Sequence, residues 1–267
     1  MRILVLLTAM MILFSACAST DEAVTPGTML DHGFLLDNTL HHTERGDIHF
    51  SLYLPDSYDG TEEFPLYIAL PGWEGLYFQG VGADLRWETL PFAAREYRPE
   101  MIIVSTQLND WGMNSALDVI ALTEYLLSAY RIDPNRVYLS GLSGGGETGS
   151  LAMELRPDLY AAYLMVASQW DGDLEVLSES HTPVYMIIGE DDSYYGSDSL
   201  KEAHHTLVEL YRSQGMSERE ISELLVLNVK DAAWFSSRGY TDQHAGAIAF
   251  SEEPGMLEWL FSKTKGD

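Results

Sequence analysis

A chain of 267 residues, 46% of them hydrophobic and 21% charged, carries the apolar content of one globular domain and excludes a disordered or fibrous protein. With 15 basic against 41 acidic residues its formal charge is −26 at neutral pH, so its surface repels nucleic acid and anionic ligands.

The first stretch, "MRILVLLTAMMILFSACAST", reads as an export signal: Arg2 precedes an apolar run from Ile3 to Phe14, and small residues follow. The run is too short to span a bilayer comfortably. "FSAC" at 14–17 resembles the bacterial lipobox, with Phe14 where Leu is usual. That resemblance predicts a signal peptide over 1–16 and lipidation of Cys17, the only cysteine in the chain. An ordinary secretory signal with an incidental cysteine is the alternative. Residues 17–31 are expected to form a polar tether and 32–267 the folded domain, anchored outside the cytoplasm on a bacterial membrane through Cys17.

Beyond His32, strand and helix signals alternate. "DIHFSLYLP" (47–55) has period two, and "PLYIALPG" (65–72) is an apolar run ended by Pro and Gly. Further strands are predicted at 101–107, 136–141, 161–168, 183–189 and 223–229, and helices at 83–97, 114–130, 144–155, 197–214 and 255–263. This order predicts an α/β fold: a mostly parallel sheet covered by helices on both faces.

Between a predicted strand and a predicted helix lies "GLSGGGET" (141–148), which fits two motifs. As G-x-x-x-x-G-K-[ST] it would be a phosphate loop with Glu147 in place of the lysine; as G-x-S-x-G it would present Ser143 as a nucleophile. Both motifs occupy such a junction, so context does not choose. Charge and sterics do: Glu147 adds negative charge where a triphosphate needs neutralising, whereas Gly141 and Gly145 supply the room that a strained elbow requires. The nucleophile needs partners. "IIGEDDSYYG" places acids just past the strand at 183–189, with Asp192 the candidate to orient a histidine and Asp191 its alternative. "GYTDQHAGAIAF" offers His244 in a loop before the last helix. Ser143, Asp192 and His244 thus follow the chain order Ser, Asp, His, each after a strand.

With these residues the sequence resembles the α/β-hydrolase superfamily. The likeness is to compact single-domain esterases of the polyester-depolymerase and feruloyl-esterase type and to the catalytic domain of prolyl-oligopeptidase-like enzymes. It covers about residues 47–263 and rests on "GLSGG", "GEDD", the histidine before "MLEWLF", and "LPGWEG", where many relatives have His in place of Pro71. The resemblance implies a Ser143–His244–Asp192 triad, an oxyanion site made by the backbone N–H groups of Gly144 and Trp73, and no metal or organic cofactor.

The loops expected at the carboxyl ends of the strands carry four of the six tryptophans, Trp73, Trp111, Trp170 and Trp234, together with Tyr194. Trp111, Trp170, Tyr194 and Trp234 are therefore expected to wall a substrate cleft. The short span between 168 and 183 leaves room for a small lid or none. A carboxylic ester hydrolase acting on a small short-acyl or aryl ester, carbohydrate-linked esters included, is the expected function. Its rivals are a serine peptidase of prolyl-oligopeptidase-like type and a non-catalytic envelope binding lipoprotein. Peptidases of that type usually carry a large gating domain, for which roughly thirty residues after Cys17 are too few.

Overall fold

The computed structural model describes residues 23–266, so the predicted signal peptide and Cys17 lie outside the described residues. The described chain enters through an antiparallel edge. Strands β1 (Ala23–Thr25) and β2 (Met29–Asp31) both pair with β3 (Phe34–His42), which pairs with β4 (Gly46–Tyr53). Residues 23–25 and 29–31 were expected in the tether, and they belong instead to the sheet edge. Three-residue strands carry no readable period; what seats them is Gly27, where a β-carbon would stand 1.7 Å from the Leu36 carbonyl oxygen, and its N–H, which donates to Asn38 Oδ1 at 3.2 Å.

The centre of the sheet is parallel. It comprises β5 (Phe64–Leu70), β6 (Ile102–Gln107), β7 (Ile132–Leu142), β8 (Ala162–Val166), β9 (Val184–Gly189) and β10 (Leu225–Lys230), and the order across the whole sheet is β1-β3-β4-β6-β5-β7-β8-β9-β10. Every residue of β5, β6, β8 and β9 is buried, as strands covered on both faces must be. Their alternate side chains feed two cores. Ile68, Val104, Leu139 and Met186 point into one, and Tyr67, Ile103, Tyr138 and Ile187 into the other.

Helices α1 (Ala83–Trp87) and α2 (Leu90–Tyr97) cover the second core. Helices α3 (Met113–Ala129), α4 (Gly144–Leu155), α5 (Leu174–Ser180), α6 (Asp198–Ser213) and α7 (Glu218–Leu224) cover the first. Helices α8 (Ala232–Ser236) and α9 (Met256–Ser262) return to the second face. The single helix expected over 83–97 is two, because Pro91 has no N–H for the Trp87 carbonyl and its ring would clash there; Glu88 and Thr89 turn between them. The strand expected from 223 begins at 225, after α7, whose start is fixed by a capping box between Ser217 and Glu220. Between β8 and β9 lies only α5, seven residues long, so no large lid is inserted at that connection.

Candidate active site

Ser143 sits between the last residue of β7 and the first of α4, with φ +53° and ψ −125°. A non-glycine residue held there is strained, and the surroundings show what holds it. A β-carbon on Gly141 would stand 2.2 Å from the Gly145 carbonyl oxygen, and one on Gly145 would stand 2.4 Å from that of Leu70, so only glycines let the strand, the elbow and the helix meet. The Ser143 N–H donates to the Val166 carbonyl at 2.9 Å, and its carbonyl accepts from Ser168 Oγ at 2.7 Å.

The three side chains that the sequence singles out form one hydrogen-bonded line. Ser143 Oγ is 3.0 Å from His244 Nε2, and His244 Nδ1 is 2.9 Å and 3.1 Å from the two carboxylate oxygens of Asp192. With the proton on Nδ1, the imidazole donates to Asp192 and leaves Nε2 to accept from Ser143. The Asp192 carboxylate is fully buried and also accepts from the N–H groups of Tyr194 at 3.0 Å and Tyr195 at 2.9 Å, whereas the Asp191 side chain is exposed. The geometry therefore picks Asp192 over Asp191. The His244 loop is pinned by Asp242, which accepts from Ala245 N–H and Ser193 Oγ, both at 2.9 Å. Gln243 Oε1 adds a tie by accepting from Asp191 N–H at 2.8 Å.

Trp73 begins a one-turn 3-10 helix after β5, and Gly144 begins α4, so both backbone N–H groups lie at helix starts beside Ser143. The Trp73 loop is held close: a β-carbon on Gly72 would stand 3.3 Å from Ser143 Cβ, and the Gly72 N–H donates to Glu88 Oε1 at 3.0 Å. Glu88 is buried. Burial pushes its carboxyl up to about 8 against the pull of the Gly72 N–H, and the charges of Asp84 and Glu74 add to the rise. Burial likewise pushes Asp84 up to about 7, with the hydroxyls of Ser51 and Ser105 working the other way.

A cleft of about 370 Å³ opens over this line, walled by Trp73, Glu74, Trp111, Ser143, Gly144, Tyr194, Tyr195 and His244. Of the expected cleft residues the structure brings Trp111 and Tyr194 to it, but not Trp170 or Trp234. Trp170 is half-buried against the first core, edge-on to Tyr163 at 6.0 Å. Trp234 packs on Phe235 and Phe250 and lies under the Arg238 guanidinium, 3.9 Å from its ring centre. Both indoles close the core beneath short loops, the common fate of a large apolar ring. Tyr195, a loop aromatic beside Tyr194, also lines the cleft, and the residue that the expectation lacks is Glu74. Tyr195 contacts both Ser143 and Glu147; burial raises its hydroxyl, and so does the hydrogen bond to Glu147. Burial also raises Glu147, against the pull of Tyr195. A larger hollow of about 530 Å³, lined by Glu62, Arg98 and Arg136 among others, lies at the other end of β5 and includes no serine, cysteine or histidine.

Comparison with known proteins fits this geometry. The model of the prolyl oligopeptidase family matches residues 105–213, which include the Ser143 and Asp192 segments. No curated protein sequence matches the chain. Among solved structures it is similar to a thermostable esterase, with TM-score 0.69 and 23% identity over 87% of this chain and 64% of that one. It is also similar to oligopeptidase B from Leishmania major (TM-score 0.55, 14% identity, 90% of this chain and 36% of that one). A ferulic acid esterase from Anaeromyces mucronatus aligns with TM-score 0.55 and 14% identity over 92% and 93% of the two chains. The chain thus spans less than two thirds of the first two. The fold is that of the α/β-hydrolases.

Proposed function

We propose that the protein hydrolyses carboxylic esters through Ser143, with His244 as the general base and Asp192 as the group that orients it. The observation that carries this reading is the line of contacts from Ser143 Oγ through His244 to the buried Asp192 carboxylate, at the floor of an open cleft. In this scheme His244 Nε2 takes the Ser143 proton as Oγ bonds to the ester carbonyl carbon, and the carbonyl oxygen becomes an oxyanion facing the N–H groups of Gly144 and Trp73. His244 returns the proton to the leaving alcohol as its C–O bond breaks. Water then releases the acyl group by the same steps in reverse. Because no large lid is inserted between β8 and β9 and the walls of the cleft are aromatic, short acyl or aryl esters fit it better than long-chain triglycerides.

The match to the prolyl oligopeptidase family favours a second reading, cleavage of a peptide bond by the same three residues. A panel of chromogenic esters of increasing acyl length, run beside an aminoacyl anilide, separates the two. Ester turnover with a maximum at short chains supports the esterase; anilide turnover that exceeds it favours the peptidase; inertness toward both favours an envelope binding protein. A lipid anchor at Cys17, holding the protein outside the cytoplasm on a bacterial membrane, belongs to the same proposal and rests on the sequence "FSAC".

A further inference from the structure

The cleft has two unlike walls. One is His244 with Tyr194 and Tyr195, whose rings each lie 5.5 Å from the imidazole. The other is Trp73, Glu74 and Trp111. On the ester-hydrolase reading, on which the following rests, His244 delivers a proton to the leaving alcohol, so that alcohol lies on the His244 side. The opposite wall is left to the acyl group.

That wall is aromatic and anionic. Trp73 is 50% exposed and Trp111 40% exposed, so both rings present apolar faces to whatever enters. Trp111 lies against Gly144, where a β-carbon would stand 2.9 Å from its Cγ. Trp73 is braced edge-on by Phe78 at 5.5 Å. Glu74 makes no hydrogen bond and no ion pair with any described residue, and no lysine or arginine lines the cleft. One of its carboxylate oxygens and Ser143 Cβ flank the same point above Gly72, at 3.8 Å and 3.3 Å from a β-carbon built there. The carboxylate therefore stands beside the nucleophile.

Glu74 is exposed, so water solvates its carboxylate in the open cleft; an anionic acyl group would be repelled by it, and a neutral aryl or sugar group would gain from the two tryptophans but nothing from its charge. A cation gains from both: indole faces attract ammonium groups through their quadrupoles, and a carboxylate at the rim attracts them through charge. We infer that the acyl side of the cleft selects substrates whose acyl group carries an ammonium or quaternary ammonium, held against Glu74 and the faces of Trp73 and Trp111. The net charge of −26 works in the same direction by raising the local concentration of cations.

The test compares two esters of one shape. The para-nitrophenyl esters of trimethylammoniobutyrate and of its carbon isostere, in which a quaternary carbon replaces the nitrogen, differ in charge alone. Each kcat/KM is divided by that ester's hydroxide-catalysed rate. The cationic ester is expected to be favoured by about tenfold at low salt, with the ratio falling as salt rises. In Glu74→Gln the ratio should drop toward one, and in Glu74→Lys it should invert; as a ratio it is insensitive to how much of each variant folds. Equal rates in the wild-type protein, or an undiminished ratio in Glu74→Gln, would overturn the inference while leaving the esterase reading intact. Failure to cleave either ester would overturn that reading and the inference with it.

Discussion

Removing the titrating carboxyl beneath the Trp73 loop has an effect on stability that grows with pH. Glu88 holds its proton in the fold up to about pH 8, whereas in the unfolded chain it ionises near its ordinary value of 4.5. Between these values the folded state binds a proton that the unfolded state has released. Stability therefore falls as pH rises, by up to about 1.4 kcal/mol per pH unit for one carboxyl. Glu88→Gln keeps a carbonyl oxygen for the Gly72 N–H and removes the titration. The variant is expected to match the wild type near pH 4 and to exceed it by a few kcal/mol near pH 8, on the order of the whole linkage term. A residual slope remains below about pH 7, because Asp84 still titrates. Glu88→Ala, by contrast, strands a buried N–H at a cost of about 1–3 kcal/mol at every pH, and loosens the loop that carries Trp73. Its kcat should fall more than its KM rises. Urea unfolding of the three proteins from about pH 4 to about pH 9 supplies the curves. Parallel wild-type and Glu88→Gln curves, offset by a constant, would refute the reasoning.

Ser143→Ala and His244→Ala should each lower kcat by on the order of 10⁴-fold or more, and the double variant should be no worse than the singles, because the residues act as a unit; additive losses would contradict this. Asp192→Asn should cost far more activity than Asp191→Asn, since only the Asp192 carboxylate meets His244; the reverse ranking in steady-state kinetics would move the role to Asp191. Trp111→Ala should raise KM for the best ester, whereas Trp170→Ala should lower stability by on the order of 2 kcal/mol with little change in activity per folded molecule. Cys17→Ser should shift the protein out of the membrane fraction; unchanged membrane association would argue against a lipid anchor there.

What the sequence made legible follows from how strongly position constrains residue type. A strand buried on both faces must be apolar throughout, so "FPLYIAL" announces β5 without any period. The elbow is legible because Gly141 and Gly145 are forced by contacts shorter than any side chain permits, Asp192 because it follows a predicted strand at its carboxyl end, and His244 because it lies in a loop before the last helix. The rest depends on tertiary contacts. β1 and β2 exist because β3 offers an open edge, not because three residues prefer extension. Trp170 and Trp234 occupy the same kind of loop as Trp111, and an aromatic residue after a strand looks the same in sequence whether it walls a cleft or closes a core. Glu74 and the Tyr195–Glu147 contact have no local signature at all, since each is defined by what lies opposite it in space.

Covalent labelling reads whether Ser143 is a nucleophile activated by His244. The protein is incubated with a fluorophosphonate, which reacts with activated serines, and intact mass and peptide mapping follow. One adduct per chain is expected, located at Ser143, absent in Ser143→Ala and strongly slowed in His244→Ala. An unmodified protein, or an adduct formed equally well in Ser143→Ala, would contradict it.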